Sequence, residues 1–180
     1  LQLLQVRTLL KGQDSQSSVG SGFLVDDKGL LITNYHVISQ FALEPDRYRL
    51  RFSTTDGLEG PLELIDIDVR HDLALLRLPS KSPANRGALR FRPTSTPLTK
   101  GERIYSMGNP RDVTFAVVEG NFNGLVERSF DPLIYYAGSI NPGMSGGPVV
   151  DDDGRVVGIN VSAMIFAEQM SFLVPAANAQ

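Results

Sequence analysis

An all-β fold made of two small barrels with a cleft between them is what the sequence predicts, and three observations carry that expectation. Glycine and proline cut the chain into short apolar runs of about four to eight residues, the spacing of strands joined by turns. Sustained helical periodicity is scarce. A stretch rich in proline, serine and threonine at 79–97 divides the strand candidates into two sets of about six, which suits a pair of barrels meeting at a cleft.

The first set comprises 22–25, 30–33, 48–52, 62–68 and 73–78, and the second 103–107, 113–120, 123–128, 133–137, 148–150, 156–161 and 170–174. Two segments between strands, Asp26-Asp27-Lys28-Gly29 and Asp151-Asp152-Asp153-Gly154, read as hairpin turns, because aspartate and glycine tolerate the backbone angles of tight reversals. A calcium loop at the second would need a further glutamate at fixed spacing, and none follows. The expected organisation is therefore an N-terminal barrel over 1–85, a connection over 79–97 and a C-terminal barrel over 98–180.

Composition narrows the function. With 42% hydrophobic and 21% charged residues, the 180-residue chain has the make-up of a globular domain. Seventeen basic against 20 acidic residues give a net charge of -3, and the positive charges are scattered along the sequence rather than gathered into a stripe, so the basic face that displaces counterions from nucleic acid is not expected. No apolar run is long enough to span a membrane. The absence of cysteine removes disulfides, thiolate nucleophiles and cysteine zinc sites. Two histidines in separate segments make no recognisable metal site either. Neither metal nor organic cofactor is expected.

Only His36 and His71 can anchor a histidine-centred mechanism. His36 follows the apolar run GLLITNY, at the tip of a strand, where a side chain is rigidly held yet accessible. Asp72 opens the run DLALLRL, and a carboxylate beside a buried strand is costly unless paired. His71 points to the opposite face of an extended chain and reads as a rim residue without a catalytic role. Ser145 lies in NPGMSGGPVV, where Gly143, Gly146 and Gly147 allow backbone N–H groups to converge on a small anion. A serine hydroxyl needs a base, and the base needs a carboxylate to fix its tautomer. The chain supplies all three in the order His36, Asp72, Ser145, with the serine in the other half of the molecule.

Four segments, GSGFLVDDKGLLITNYHVI (20–38), HDLALLRL (71–78), GNP (108–110) and INPGMSGGPVVDDDGRVVGIN (140–160), resemble the chymotrypsin superfamily, and more closely the HtrA (Deg) family of trypsin-like serine proteases. The resemblance implies two six-stranded antiparallel β-barrels of the chymotrypsin/trypsin type and a serine endopeptidase acting on unfolded or extended polypeptides, as in protein quality control. It makes His36 the general base, Asp72 its orienting acid and Ser145 the nucleophile. The N–H groups of Gly143 and Ser145 become the oxyanion hole. Val161, Ser162 and Ala163 would pair with substrate as an added strand, and Ser139 would lie at the base of a specificity pocket lacking a trypsin-type aspartate. The resemblance also implies an extracytoplasmic location, and an assembly that is a homotrimer or a monomer. No peptide-binding PDZ domain is expected within these 180 residues.

One departure from the family pattern is Met144, where relatives usually carry asparagine. A thioether cannot make an amide's hydrogen bonds, so the oxyanion loop is expected to be loosely held, basal activity to be low, and Met144→Asn to raise kcat. The rival reading is a catalytically weak or inactive module that binds peptides as a chaperone, sensor or scaffold.

Overall fold

A computed structural model of the chain describes residues 3–79, 87–109, 114–126, 131–161 and 171–180. Its first half rolls up seven strands, β1 (Leu3–Leu10), β2 (Gln16–Leu24), β3 (Leu30–Thr33), β4 (Tyr48–Ser53), β5 (Glu59–Pro61), β6 (Glu63–Asp68) and β7 (Leu73–Arg77). They pair antiparallel in the order β5-β4-β1-β2-β3-β7-β6. The two edge strands, β5 and β6, are one chain run broken at Leu62, whose N–H turns to the carbonyl of Leu50 at 3.0 Å. Counting that run once recovers the expected six strands.

The second half, β8 (Arg103–Gly108), β9 (Ala116–Val126), β10 (Leu133–Ala137), β11 (Pro148–Val150), β12 (Val156–Val161) and β13 (Ser171–Pro175), closes completely in the order β10-β13-β12-β11-β8-β9. A 3-10 turn, Ala176–Ala179, follows. The separate strands expected at 113–120 and 123–128 are a single strand among the described residues. β9 pairs with β8 along its first half and with β10 along its second, and it turns the corner at Gly120, where any Cβ would collide with the Tyr136 ring. Both aspartate-glycine hairpins form as expected: Asp26 Oδ1 accepts the N–H groups of Lys28 and Leu30, and Asp151 Oδ1 those of Asp153 and Arg155.

Three apolar clusters hold these layers. One fills the first unit around Leu4, Leu24, Leu31, Ile38 and Leu76, and one fills the second around Ile104, Tyr136, Met144, Ile159's neighbour Val157, and Leu173. The third joins them: Phe23, Ile32 and Leu73 from the first unit pack with Met107, Val150, Val156, Ile159 and Val174 from the second. The described part of the 79–97 connection is packed against both units. Leu89 N–H bonds Leu24 O at 2.9 Å, Arg92 N–H bonds Val156 O at 2.9 Å, and the Phe91 ring meets Phe23 edge-on. The cleft is thus set by a continuous inter-barrel core.

Candidate active site

The turn after β3 places His36. Asn34 begins the helix α1 (Tyr35–Leu43), and His36 stands in its first turn. The N–H groups of a first helical turn lack intrahelical acceptors. Here one is satisfied from far along the chain: Asp72 Oδ1 accepts His36 N–H at 2.8 Å, while Asp72 Oδ2 lies 2.6 Å from His36 Nδ1. A carboxylate at a helix N-terminus also meets the positive end of the helix dipole. The carboxylate therefore grips both the backbone and the ring of one residue.

Asp72 is itself held in an uncommon conformation. It is the sole non-glycine with positive φ, +56°, among the described residues, and its carbonyl accepts Asn34 Nδ2 at 2.8 Å and Tyr35 N–H at 3.1 Å. A left-handed turn just before β7 swings the carboxylate out of the strand toward α1. The expected pairing of this acid is met, with its side chain 29% exposed rather than deeply buried.

His71, as expected, faces elsewhere. Its Nδ1 lies 2.5 Å from Asp68 Oδ2, and its Nε2 3.5 Å from Asp131 Oδ1 in the second unit. Arg70 bonds both oxygens of the same Asp131 at 2.7 Å, tying the two units together at the cleft rim. The Arg70 hydrogen bonds hold the Asp131 carboxyl below its usual range, and the His71 hydrogen bond does the same for Asp68. An open cavity of about 590 Å³ is lined from both units by Arg70, His71, Asp72, Asp131, Leu133, Val161, Val174 and Asn178.

Ser145 sits in the loop before β11, 4% exposed. The loop's peptide groups alternate in a telling way. Met144 N–H donates to Asn141 O at 3.0 Å, Gly146 N–H to Asn160 O at 2.9 Å, and Gly147 N–H to Met144 O at 3.0 Å. Among the described residues the N–H groups of Gly143 and Ser145 meet no acceptor. Gly143 and Gly146 take positive φ, +94° and +84°, and a Cβ at Gly146 would collide with Ser21 O and Thr33 Oγ1. Glycine is required there twice over. No hydrogen bond joins Ser145 Oγ to His36 among the described residues.

Met144 differs from the expectation of a loosely held loop. Its side chain is fully buried in the second-unit core, and its Sδ receives Asn141 N–H at 3.5 Å. Apolar packing fills the place where a polar anchor was sought. Ser139 is exposed, just beyond β10, and Val161 ends β12 opposite Phe172. Ser162 and Ala163 lie outside the described residues.

Sequence reasoning overlooked Ser21 and Asn160, both fully buried. Ser21 Oγ donates to Gly143 O at 2.8 Å and accepts Asn109 N–H at 2.9 Å, and Ser21 N–H donates to Ser145 O at 2.7 Å. Asn160 Nδ2 reaches Met144 O at 3.2 Å and Met107 O at 3.0 Å, while its Oδ1 accepts Ser106 Oγ at 2.8 Å. A signal existed: each is a polar side chain within a strand whose neighbours are apolar or glycine, and a buried polar group must have partners. Among the described residues no set of three or more His, Asp or Glu side chains is grouped to hold a metal ion. No helix among them is long and apolar enough to cross a membrane.

Comparison with known proteins bears on this arrangement. The family described as trypsin-like peptidase domain matches residues 20–159. Human serine protease HTRA3 is 33% identical over 181 residues, covering 96% of this chain and 39% of its own length. A probable periplasmic serine endoprotease, DegP-like, from Pseudomonas fulva is 34% identical over 170 residues, covering 89% of this chain and 32% of its own. The chain thus spans less than two fifths of either relative. Among solved structures, a serine endoprotease from Yersinia pestis superposes with a TM-score of 0.80 at 25% identity, over 98% of this chain and 59% of that one. Deg5 superposes with a TM-score of 0.82 at 22% identity, over 98% and 84%, a likeness of fold.

Proposed function

This chain belongs to the trypsin-like peptidase domain family, and on that premise we propose that it is a serine endopeptidase of the HtrA (Deg) kind that cleaves unfolded or extended polypeptides through an acyl-enzyme. The observation that carries the reading is the two-point contact of Asp72 with His36, through Nδ1 at 2.6 Å and the backbone N–H at 2.8 Å. An Nδ1–H donating to Asp72 leaves Nε2 as the basic nitrogen, the tautomer a general base requires. His36 Nε2 then takes the proton of Ser145 Oγ as that oxygen attacks the scissile carbonyl. The negative charge developing on the carbonyl oxygen is met by the N–H groups of Gly143 and Ser145. The same imidazolium returns its proton to the leaving amine, and water repeats the sequence on the ester.

Aspartate orients and stabilises the imidazolium without becoming protonated itself. Extended substrate pairs with the backbone at Val161, Ser162 and Ala163, continuing the sheet by one strand. With Ser139 at the specificity pocket and no acid beside it, small or medium aliphatic residues precede the scissile bond. In organisation, 1–85 and 98–180 are the two barrels and 79–97 their connection. By likeness to the periplasmic relatives, the protein works outside the cytoplasm.

Fluorophosphonate labelling together with casein hydrolysis tests the reading. Labelling at Ser145, lost with hydrolysis in Ser145→Ala while near-UV circular dichroism is unchanged, is the expected result. An unlabelled wild-type protein that binds unfolded casein without cutting it would replace the enzyme by a peptide-binding module.

A further inference from the structure

We infer that Ser21, a residue of the first unit, is the positioning residue that keeps the oxyanion loop of the second unit in its productive conformation; the inference rests on the serine endopeptidase reading above. Three successive peptide planes of the loop are each held by hydrogen bonds. The plane between Gly143 and Met144 is held at both ends, its carbonyl by Ser21 Oγ at 2.8 Å and its N–H by Asn141 O at 3.0 Å. The next plane carries Ser145 N–H, and its carbonyl, Met144 O, is taken by Asn160 Nδ2 and Gly147 N–H. The third, between Ser145 and Gly146, is fixed by Ser21 N–H and Asn160 O.

The plane that carries Gly143 N–H has no such bond among the described residues. Its orientation depends on φ of Gly143, +94°, and glycine offers little resistance to rotation about that bond. What restrains it is the fixed plane on its far side, and the side-chain bond on that plane is Ser21 Oγ. The same hydroxyl accepts Asn109 N–H, just beyond β8, so one oxygen joins β2, the β8 end and the oxyanion loop. Ser21 is fully buried, and its carbonyl is in turn held by Thr33 Oγ1 at 2.7 Å, so the latch has no slack.

Removing the hydroxyl in Ser21→Ala leaves Gly143 O and Asn109 N–H buried without that partner. The loop can then recover a bond for the carbonyl by rotating, which carries Gly143 N–H away from the cleft. Losing one oxyanion donor costs about 100- to 1,000-fold in kcat, and a partial population of the rotated loop costs proportionately less. Binding of the uncleaved chain, through strand pairing and side-chain pockets, does not use that donor to the same degree.

The test compares wild type with Ser21→Ala on a peptide substrate and on a peptidyl boronic acid ending in a valine analogue, whose tetrahedral adduct on Ser145 fills the oxyanion hole. The expected result is a kcat reduced tenfold or more with KM within threefold of wild type, and boronate affinity reduced tenfold or more. Peptide affinity measured in the Ser145→Ala background is expected to be unaffected by adding Ser21→Ala, since a merely structural role would weaken both. A loss of kcat below tenfold, a boronate affinity reduced less than tenfold, or a matching loss of peptide affinity overturns the inference. Should Ser21→Ala not fold, Ser21→Cys, close in size but a weak donor, decides by the same criteria. A wild-type protein that neither hydrolyses peptide nor takes up a fluorophosphonate overturns the endopeptidase reading itself, whereas active wild type with an equally active Ser21→Ala overturns only the latch.

Discussion

Replacing Met144 by asparagine discriminates packing from polar anchoring as the means of holding the loop. Met144 is fully buried against the cluster of Ile104, Tyr136, Ile140 and Val149, and Gly108 leaves room for its backbone, since a Cβ at Gly108 would come within 2.7 Å of Met144 Cα. A fully buried side chain of this kind contributes about 1.5–3 kcal/mol. The asparagine amide would enter an apolar shell in which the one polar neighbour now bonded to the side chain is Asn141 N–H. That N–H can serve only the amide oxygen, and the amide's own donors would cost about 1–3 kcal/mol if left unsatisfied. Together these give a destabilisation of about 2.5–6 kcal/mol, a large part of an ordinary domain's stability. Met144→Leu conserves volume and forfeits only the weak N–H···S contact, for about 1 kcal/mol. Urea unfolding with kcat measured at 25 °C is the assay. The expected order of stability is wild type, then Leu, then Asn, with kcat not raised by Asn. An asparagine variant as stable as wild type and faster in turnover would refute the packing argument and restore the expectation that a polar residue is missing at 144.

Asp72→Asn should lower kcat about 10⁴-fold by favouring the wrong imidazole tautomer, whereas His71→Ala should change it little, both read by casein hydrolysis at neutral pH. Gly146→Ala should reduce kcat more than 100-fold, because it adds the left-handed backbone penalty to collisions with Ser21 O and Thr33 Oγ1. A proportionate loss of fluorophosphonate labelling rate checks it. Burial pushes the Tyr136 hydroxyl up to about 12, with its O–H donating to Val118 O at 2.8 Å. The unfolded chain releases that proton near pH 10, so the associated stability, about 2–3 kcal/mol, is present below pH 10 and lost as pH rises to 12. Denaturant midpoints measured from pH 9 to 12 should fall across that window, and fall less in Tyr136→Phe.

Much of the fold was legible because turns are local. The aspartate-glycine hairpins and most strands after β1 follow from runs of a few residues and the punctuation between them. β1 escaped notice since it lies between β2 and β4 and is covered on both faces, so LLQVRTLL shows no clean alternation. The helix α1 was missed for another reason: nine residues are too few for a period of 3.6 to declare itself, and the carboxylate that accepts the N–H of His36 in its first turn lies 36 positions away. His36 and Asp72 could be named from local context. Nothing local foretold that Asp72 would reach α1 through a left-handed turn.

The oxyanion loop takes this distinction further. Its glycines mark it as unusual, yet a glycine-rich loop has many conformations, and which one is occupied depends on groups outside it. Ser21 arrives from the first unit and Asn160 from β12, and both are fixed by the inter-barrel core around Phe23, Ile32, Val156 and Ile159. Hydrogen bonds from both units therefore hold the loop in its observed shape. His36 and Asp72 come from one unit and Ser145 from the other, so on the proposed reading the closure that would align His36 with Ser145 also seats Ser21 against Gly143. On the endopeptidase reading, Phe23→Ala, which loosens that interface, is expected to lower kcat as well as stability, read by peptide hydrolysis and urea unfolding of the same variant.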